Sequence, residues 1–182
     1  MFIQTEATPN PATLKFLPGQ DVMGEGTADF GSADQAGRSP LARRLFAIDG
    51  VVNVFLGSDF VTVTKSDTQD WPVMKPLILS SIMEHFTAGD AVITGPAEVV
   101  EGAADEDDLS KQIRELIDTR VRPAVAQDGG DIVFRRFEDG IVYLNMQGSC
   151  SGCPSSTATL QHGIENMLKY YVPEVTGVQA VE

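Results

Sequence analysis

The feature that most constrains the fold of this chain is a break in its pattern over residues 89–108. The apolar periodicity found on both sides disappears here, and Gly95-Pro96 interrupts the backbone. Acidic residues gather over positions 98–108 without a basic residue among them. Segments of this composition are typical of flexible linkers. The sequence therefore predicts two small domains with separate cores, over residues 1–88 and 109–182, joined by an acidic linker.

The first domain is predicted to be α+β, with a short sheet packed against two helices. Its second helix carries Met74, Ile78, Ile82 and Phe86 every four residues on one stripe. His85 lies beside that stripe and is interpreted as a surface histidine. The predicted strands cover 2–6, 13–17, 51–56 and 60–65, and the helices begin at Ser39-Pro40 and Asp70-Trp71-Pro72. This half has no catalytic constellation, so we expect it to bind a partner.

The second domain is also predicted to be α+β, in the order α-β-β-α-β. A helix from near Leu109 is interrupted at Pro123, where a kink or a new turn is expected. The Asp139-Gly140 turn joins two β-rich runs into a hairpin. For Asp128 and Asp131, hydrogen bonds within a turn are favoured over metal binding. The predicted strands cover 132–138, 141–146 and 175–181, and the last helix begins at Pro154.

The chain has two cysteines, Cys150 and Cys153, and they lie in a loop of small residues between a predicted strand and the helix that begins at Pro154. The N–H groups and positive dipole of that helix end are expected to lower the thiol pKa values. Because glycine and serine surround the cysteines, we expect an exposed loop and not a segment of the core.

Three chemistries fit this pair of thiols. A 4Fe–4S cluster normally takes four thiolates, so two chains meeting at a symmetry axis would supply the set. A zinc site also needs four ligands, and the chain's histidines are His85 and His162, of which His162 follows Cys153 too distantly for the usual spacing. A dithiol–disulfide oxidoreductase would use Cys150 as nucleophile and Cys153 as resolving thiol. The spacing alone leaves the cluster, the zinc-stapled adaptor and the enzyme open.

Charge and hydropathy exclude other functions. A formal net charge of -13 argues against nucleic acid as a partner, since such binding depends on lysine and arginine. No apolar run is long enough to span a membrane. The first residues resemble neither a secretory signal nor an arginine-rich transit peptide, so we expect a bacterial cytoplasmic protein or a mature protein of the mitochondrial matrix.

Two separated motifs resemble one known family. The run Gly-Ser-Cys-Ser-Gly-Cys-Pro-Ser-Ser at 148–156, preceded by Val-Arg-Pro-Ala-Val-Ala-Gln-Asp-Gly-Gly-Asp-Ile at 121–132, resembles the C-terminal domain of NifU and of Nfu-type iron–sulfur carriers. The run Thr-Pro-Asn-Pro-Ala-Thr-Leu-Lys-Phe-Leu-Pro-Gly at 8–19 is similar to the N-terminal domain of Nfu proteins. The match covers both predicted domains in the expected order.

The resemblance implies a homodimer in which Cys150 and Cys153 of each subunit hold a shared 4Fe–4S cluster. Cysteine spacing does not fix nuclearity, so a 2Fe–2S cluster stays open. The resemblance further implies a carrier that is not an enzyme, receives its cluster from upstream donors and passes it to client apoproteins.

Overall fold

A computed structural model describes residues 2–95, 107–150 and 154–181, with the backbone alone described at 154–156. The chain divides into two compact units, Met1–Pro96 and Ala97–Glu182. Each unit holds a sheet packed against helices, which confirms the predicted α+β class. Most of the predicted linker, residues 96–106, lies outside the described residues.

The first unit is built on a five-stranded antiparallel sheet in the order β1-β2-β5-β4-β3. Its strands are β1 (Gln4–Ala7), β2 (Thr13–Leu17), β3 (Ala28–Phe30), β4 (Val51–Leu56) and β5 (Val61–Lys65), and its helices are α1 (Pro40–Phe46) and α2 (Trp71–Ala88). The sequence analysis missed β3, which lies in a stretch rich in glycine, alanine and serine. Pairing with β4 makes this segment a strand, with Ala28 and Phe30 buried against the core.

Both helices begin where the sequence predicts. Ser39 Oγ accepts a hydrogen bond from Ala42 N at 3.1 Å, and Pro40 occupies the first turn of α1. On α2, Met74, Ile78 and Ile82 are fully buried and pack into the core of the sheet. The four-residue stripe therefore identifies the inner face of this helix.

His85 is fully buried, so its interpretation as a surface histidine was wrong. It follows Ile82 by three residues, which places it on the inner face of α2. Its ring meets Phe86 edge to face at 5.3 Å, and neither ring nitrogen has a hydrogen-bond partner in the described part of the chain. Burial lowers the pKa of His85, and the nearby Asp90 carboxylate opposes that shift.

The first residues of the predicted linker are held on the first unit. After α2 ends at Ala88, with Gly89 as its cap, Ser39 Oγ donates a hydrogen bond to Val92 O at 2.6 Å. Thr94 N donates to Arg38 O at 2.6 Å, and Arg44 forms an ion pair with Asp90 at 3.3 Å. The segment from Asp90 to Thr94 therefore crosses the start of α1.

The second unit is built on a three-stranded sheet in the order β6-β7-β8. Its strands are β6 (Gly130–Glu138), β7 (Ile141–Gly148) and β8 (Gly177–Val181), and its helices are α3 (Asp108–Leu116), α4 (Arg122–Gln127) and α5 (Pro154–Tyr171). A π-helical turn, Ile117–Val121, separates α3 from α4, so Pro123 lies in the first turn of a new helix, as predicted.

The strand pairing of the second unit explains its connections. Strands β6 and β7 form the predicted hairpin, with positive φ at Asp139 and Gly140, as a two-residue turn requires. Strands β7 and β8 are parallel, so the chain must cross over between them, and α5 makes that crossover. No helix of the described residues has both the length and the apolar character needed to cross a membrane.

Burial of His85 should make the first unit lose stability in mild acid. The pKa of His85 is lowered in the folded state, so below its ordinary value near 6.5 the unfolded chain binds the proton more readily. The contribution of neutral His85 to the free energy of unfolding should therefore be fully present at neutral pH. It should fall as the pH drops through about 6.5, by at most about 1.4 kcal/mol per pH unit. Urea unfolding followed by fluorescence of Trp71, the chain's single tryptophan, reports this unit at pH 7.5 and 5.5.

The His85→Leu variant should show a weaker pH dependence, because the residue that takes up the proton on unfolding is gone. His162→Gln is the matched control, since His162 is exposed on α5. If His85→Leu and the unaltered chain lose equal stability between the two pH values, His85 does not carry the effect.

Candidate functional site

The candidate site lies where β7 ends and α5 begins, at the carboxyl end of a strand that enters a parallel crossover. Ligand sites in open sheets with parallel strands favour such strand ends. Cys150 follows the last residue of β7 by two positions. Cys153, together with Ser151 and Gly152, lies outside the described residues, so the geometry of the site is built here on Cys150.

Cys150 is a free thiol that is 7% exposed and packs in the core of the second unit. The expectation of an exposed loop was therefore wrong for this cysteine. The physical reason is Gly130, at the start of β6: a Cβ atom at that position would lie 2.5 Å from Cys150 Sγ. Because Gly130 has no side chain, the sulfur of Cys150 can fill the space beside it, and the loop turns inward.

The electrostatic setting favours the protonated thiol. Burial raises the pKa of Cys150 to about 12, and the carboxylates of Asp128 and Asp131 add to the shift. The predicted lowering of the thiol pKa by the helix end was therefore wrong for Cys150. Loss of hydration and two nearby negative charges both oppose a thiolate.

Hydrogen bonds from both sides fix the backbone around Cys150. Ser149 Oγ donates to Asp128 O at 2.5 Å, and Ser149 N donates to Gly129 O at 3.3 Å. From the other side, Thr157 Oγ1 on α5 donates to Cys150 O at 3.0 Å. The strand end, the turn before β6 and the first turns of α5 are thus tied together at the cysteine.

An ion pair anchors the start of β6. Arg122 Nε and Nη2 donate to Asp131 Oδ1 and Oδ2, each at 2.8 Å, and Arg122 also reaches Asp118 at 3.3 Å. Asp131 is 3% exposed, and its Oδ1 accepts a further bond from Ile132 N at 2.8 Å. Such a two-point guanidinium–carboxylate pair holds α4 against β6 and restricts the position of Gly130 beside Cys150.

Of the two aspartates that the sequence analysis weighed as metal ligands, one has its carboxylate engaged by another side chain. Asp131 is ion-paired with Arg122, and Asp128 offers its backbone carbonyl to Ser149. Among the side chains that the structure describes, no three histidine, cysteine, aspartate or glutamate residues cluster as a metal would require. His162 is exposed on α5.

Comparison with known proteins agrees with this architecture. Residues 3–89 match the family described as scaffold protein Nfu/NifU N terminal, and residues 113–179 match the NifU-like domain. The chain therefore belongs to the Nfu family.

Individual relatives cover the whole chain. It is 52% identical over 183 residues to the human protein named NFU1 iron-sulfur cluster scaffold homolog, mitochondrial, spanning 100% of this chain and 72% of the relative. The Drosophila virilis protein of the same name is 52% identical over 184 residues, spanning 100% of this chain and 62% of the relative. The chain thus spans roughly two thirds of the length of these relatives.

A solved structure of a NifU-like protein from Saccharomyces cerevisiae is similar to part of the chain. It is 28% identical, covers 53% of this chain and 87% of its own, and superposes with a TM-score of 0.48. The family assignment rests on the sequence matches.

Sequence reasoning missed three residues that position Cys150. Gly130 gives the sulfur its space, Arg122 anchors Asp131, and Thr157 holds the cysteine carbonyl. One signal was present in the sequence: an arginine nine residues before an aspartate that follows two glycines. It could not be interpreted without knowing that α4 turns back onto β6.

The Gly130→Ala substitution should displace Cys150 and destabilise the second unit by about 1–3 kcal/mol, the usual cost of overpacking. The new Cβ would also lie 2.9 Å from Gln147 O and 3.1 Å from Cys150 N, so β7 cannot absorb it without moving. In a Cys153→Ser background, where Cys150 is the remaining thiol, its modification by a thiol reagent should become faster. Thermal unfolding and the modification rate measure the two effects.

Gly163→Ala is the matched control, because a Cβ at Gly163 on α5 meets nothing within 4 Å. It should be neutral or stabilising, since alanine is the better helix former. Equal stability and equal thiol reactivity in the two variants would contradict the role given to Gly130.

Proposed function

We propose that this protein is an iron–sulfur cluster scaffold and carrier, which receives a cluster as cargo and passes it to client apoproteins. The supporting observation is the match to two separate Nfu family domains in one chain, with the Cys150–Cys153 motif inside the second match. The relatives that match over the whole chain are themselves named as iron–sulfur cluster scaffold homologues.

The setting of Cys150 suits a carrier that spends part of its cycle empty. A buried thiol whose pKa is raised to about 12 stays protonated at neutral pH and reacts slowly with oxidants. Iron has the opposite effect on a sulfur ligand, because the positive charge of a bound metal favours the thiolate. Cargo binding therefore replaces a proton on Cys150, and release of the cargo returns the sulfur to its protected state.

We further propose that the cluster is 4Fe–4S and is shared between two copies of the chain. Each chain has two cysteines, whereas a tetranuclear cluster normally takes four thiolates. Two chains related by a two-fold axis supply Cys150 and Cys153 twice. A 2Fe–2S cluster would use the same four thiols, so the iron content per dimer decides between them.

The scaffold is proposed to be non-enzymatic, and the runner-up function is a dithiol–disulfide oxidoreductase. The raised pKa of Cys150 disfavours that enzyme, because a nucleophilic cysteine works as the thiolate. A zinc-stapled adaptor would use the same two thiols, so the metal content of the protein decides between zinc and the cluster. Protein purified without oxygen separates the three: iron and sulfide indicate the scaffold, zinc the adaptor, and metal-free disulfide reduction the enzyme.

The relatives' names include the word mitochondrial. Of the two locations expected from the sequence, this favours the mitochondrial matrix over a bacterial cytoplasm. We therefore propose the matrix as the compartment in which the carrier meets its donors and clients.

Removal of either cysteine should abolish stable cluster binding. The Cys150→Ser and Cys153→Ser variants each leave two thiolates per dimer, fewer than a 4Fe–4S cluster needs. Reconstituted unaltered protein should have the molar mass of a dimer by light scattering, and iron and sulfide assays should give one cluster per two chains. Gly163→Ala should reconstitute like the unaltered chain.

Circular dichroism should show that Cys150→Ser keeps its fold, although with some loss of stability because the sulfur belongs to the core. A monomer that carries a full 4Fe–4S cluster would rule out the shared site. It would indicate that small-molecule thiols complete the ligand set.

The second unit alone should bind the cluster. A fragment of residues 107–182 holds both cysteines, its own core and the Arg122–Asp131 pair. It should reconstitute with the same iron per dimer as the full chain and transfer its cluster more slowly to at least one client. A fragment that folds but binds no iron would show that the first unit contributes to the site.

A further inference from the structure

The outward face of α2 is unusually apolar for a helix on a protein surface. Val73 is 61% exposed, Leu77 51% and Met83 41%. At helical spacing, one continuous face is formed by eight exposed residues: Pro72, Val73, Pro76, Leu77, Ser80, Met83, Glu84 and Thr87. A surface helix normally places its charges on this side, but here Glu84 is the one charged residue. Large exposed aliphatic side chains gathered on one face are typical of an interaction site.

An open groove of about 500 Å³ continues this face toward α1. It is lined by residues of both helices: Arg44, Ser80, Met83, Glu84, Thr87 and Ala88. The Arg44 guanidinium lies 3.7 Å from Glu84 and 3.3 Å from Asp90, so two carboxylates offset its charge. The groove therefore offers space for side chains of a partner without a net positive charge.

The ends of the face are acidic. Asp67 and Asp70 precede the first turn of α2. At the other end, Glu84 in the last turns and Asp90 just after the helix share the single positive charge of Arg44, so a net negative charge remains there. Lys75, the one lysine of the helix, is half-buried and lies outside the face. Pro76 has no N–H to donate to the carbonyl of Pro72, which leaves that acceptor without its usual helical donor. Carboxylates and a carbonyl acceptor together favour a partner that brings cationic donors.

These charges distinguish between the candidate occupants. A second copy of the chain would place Asp70, Glu84 and Asp90 against the same acidic residues, which costs binding energy. Residues 96–106 of this chain carry four acidic residues and no basic one, so they are no better matched. A basic partner would meet the acidic ends of α2 without the repulsion that these two acidic occupants would face.

We propose that the outward face of α2 docks an amphipathic helix of a partner protein, whose aliphatic side chains are flanked by lysine or arginine. Aliphatic anchors at i, i+3, i+4 and i+7 would lie along Val73, Leu77 and Met83, as in other helix-in-groove contacts. The flanking cations would meet the acidic ends of α2. This inference extends the recruiting role given to the first unit, and it does not involve the cysteines.

The test uses the full-length chain and two synthetic helical peptides. One peptide carries leucine at the four anchor positions with lysine beside them, and the other has glutamate in place of every lysine. Titration of isotope-labelled protein by NMR should show saturable shifts on α2 with the lysine peptide. Its affinity should fall as salt is raised, and the glutamate peptide should bind at least about tenfold more weakly.

The Leu77→Asp substitution should lower the affinity for the lysine peptide by about tenfold, the usual loss when an apolar anchor is removed. Val52→Asp is the matched control, since Val52 is an aliphatic residue of the same unit, 44% exposed on β4, and should leave the affinity unchanged. Shifts located away from α2, or equal binding of the two peptides, would overturn the proposal. So would self-association of the free chain that Leu77→Asp abolishes, because the occupant would then be a second copy.

Cluster content keeps this test separate from the proposed function. Leu77→Asp should reconstitute with the same iron and sulfide as the unaltered chain. If the chain binds the lysine peptide on α2 but no cluster, the scaffold function fails and the docking face stands. If it binds the cluster but not the peptide, the docking face fails alone.

Discussion

The second unit depends on the close approach of Cys150 to Gly130. In the β6–β7 hairpin Gly130 pairs with Gly148, so neither strand has a side chain at the position where the loop turns back. The sulfur fills that space and joins the core. The ion pair of Arg122 with Asp131 holds the adjoining residue of β6, so the position of the thiol is set by α4 as much as by its own loop.

The two units divide the chemistry of the protein. In the second unit the described chemistry is centred on one protected sulfur and the backbone that holds it. In the first unit, one buried histidine has no hydrogen-bond partner among the described residues, and one helix is apolar both inside and outside. This division underlies the proposal that the second unit holds the cargo and the first unit is recognised by partners.

Much of the fold was predictable because local chemistry and tertiary packing agree. The Ser39-Pro40 start of α1, the stripe of Met74, Ile78 and Ile82, and the Asp139-Gly140 turn all depend on residues close in sequence. The misses have the opposite cause. Strand β3 exists because β4 offers it hydrogen bonds, and His85 is buried because the helix turns it inward, in spite of its polar ring.

The candidate site shows the same limit more sharply. The spacing of Cys150 and Cys153 and the strand-to-helix setting could be read from the sequence. The burial of Cys150 and its raised pKa could not, because both depend on Gly130, Asp128 and Asp131, which precede it by about twenty residues. A loop of glycine and serine indicates exposure only when no other part of the chain covers it.

The parallel pairing of β7 with β8 has a consequence for when the contacts of Cys150 form. Ile141 pairs with Gly177 across the whole length of α5, whereas the β6–β7 hairpin closes through a two-residue turn. Contacts that close long loops form later than local ones. Cys150 and the β6–β7 hairpin are therefore synthesised, and the hairpin can fold, before α5 and β8 are available to fix the loop from the other side. During synthesis the approach of Cys150 to Gly130 can therefore form early, whereas the hydrogen bond from Thr157, which fixes the cysteine backbone from the side of α5, can form only later.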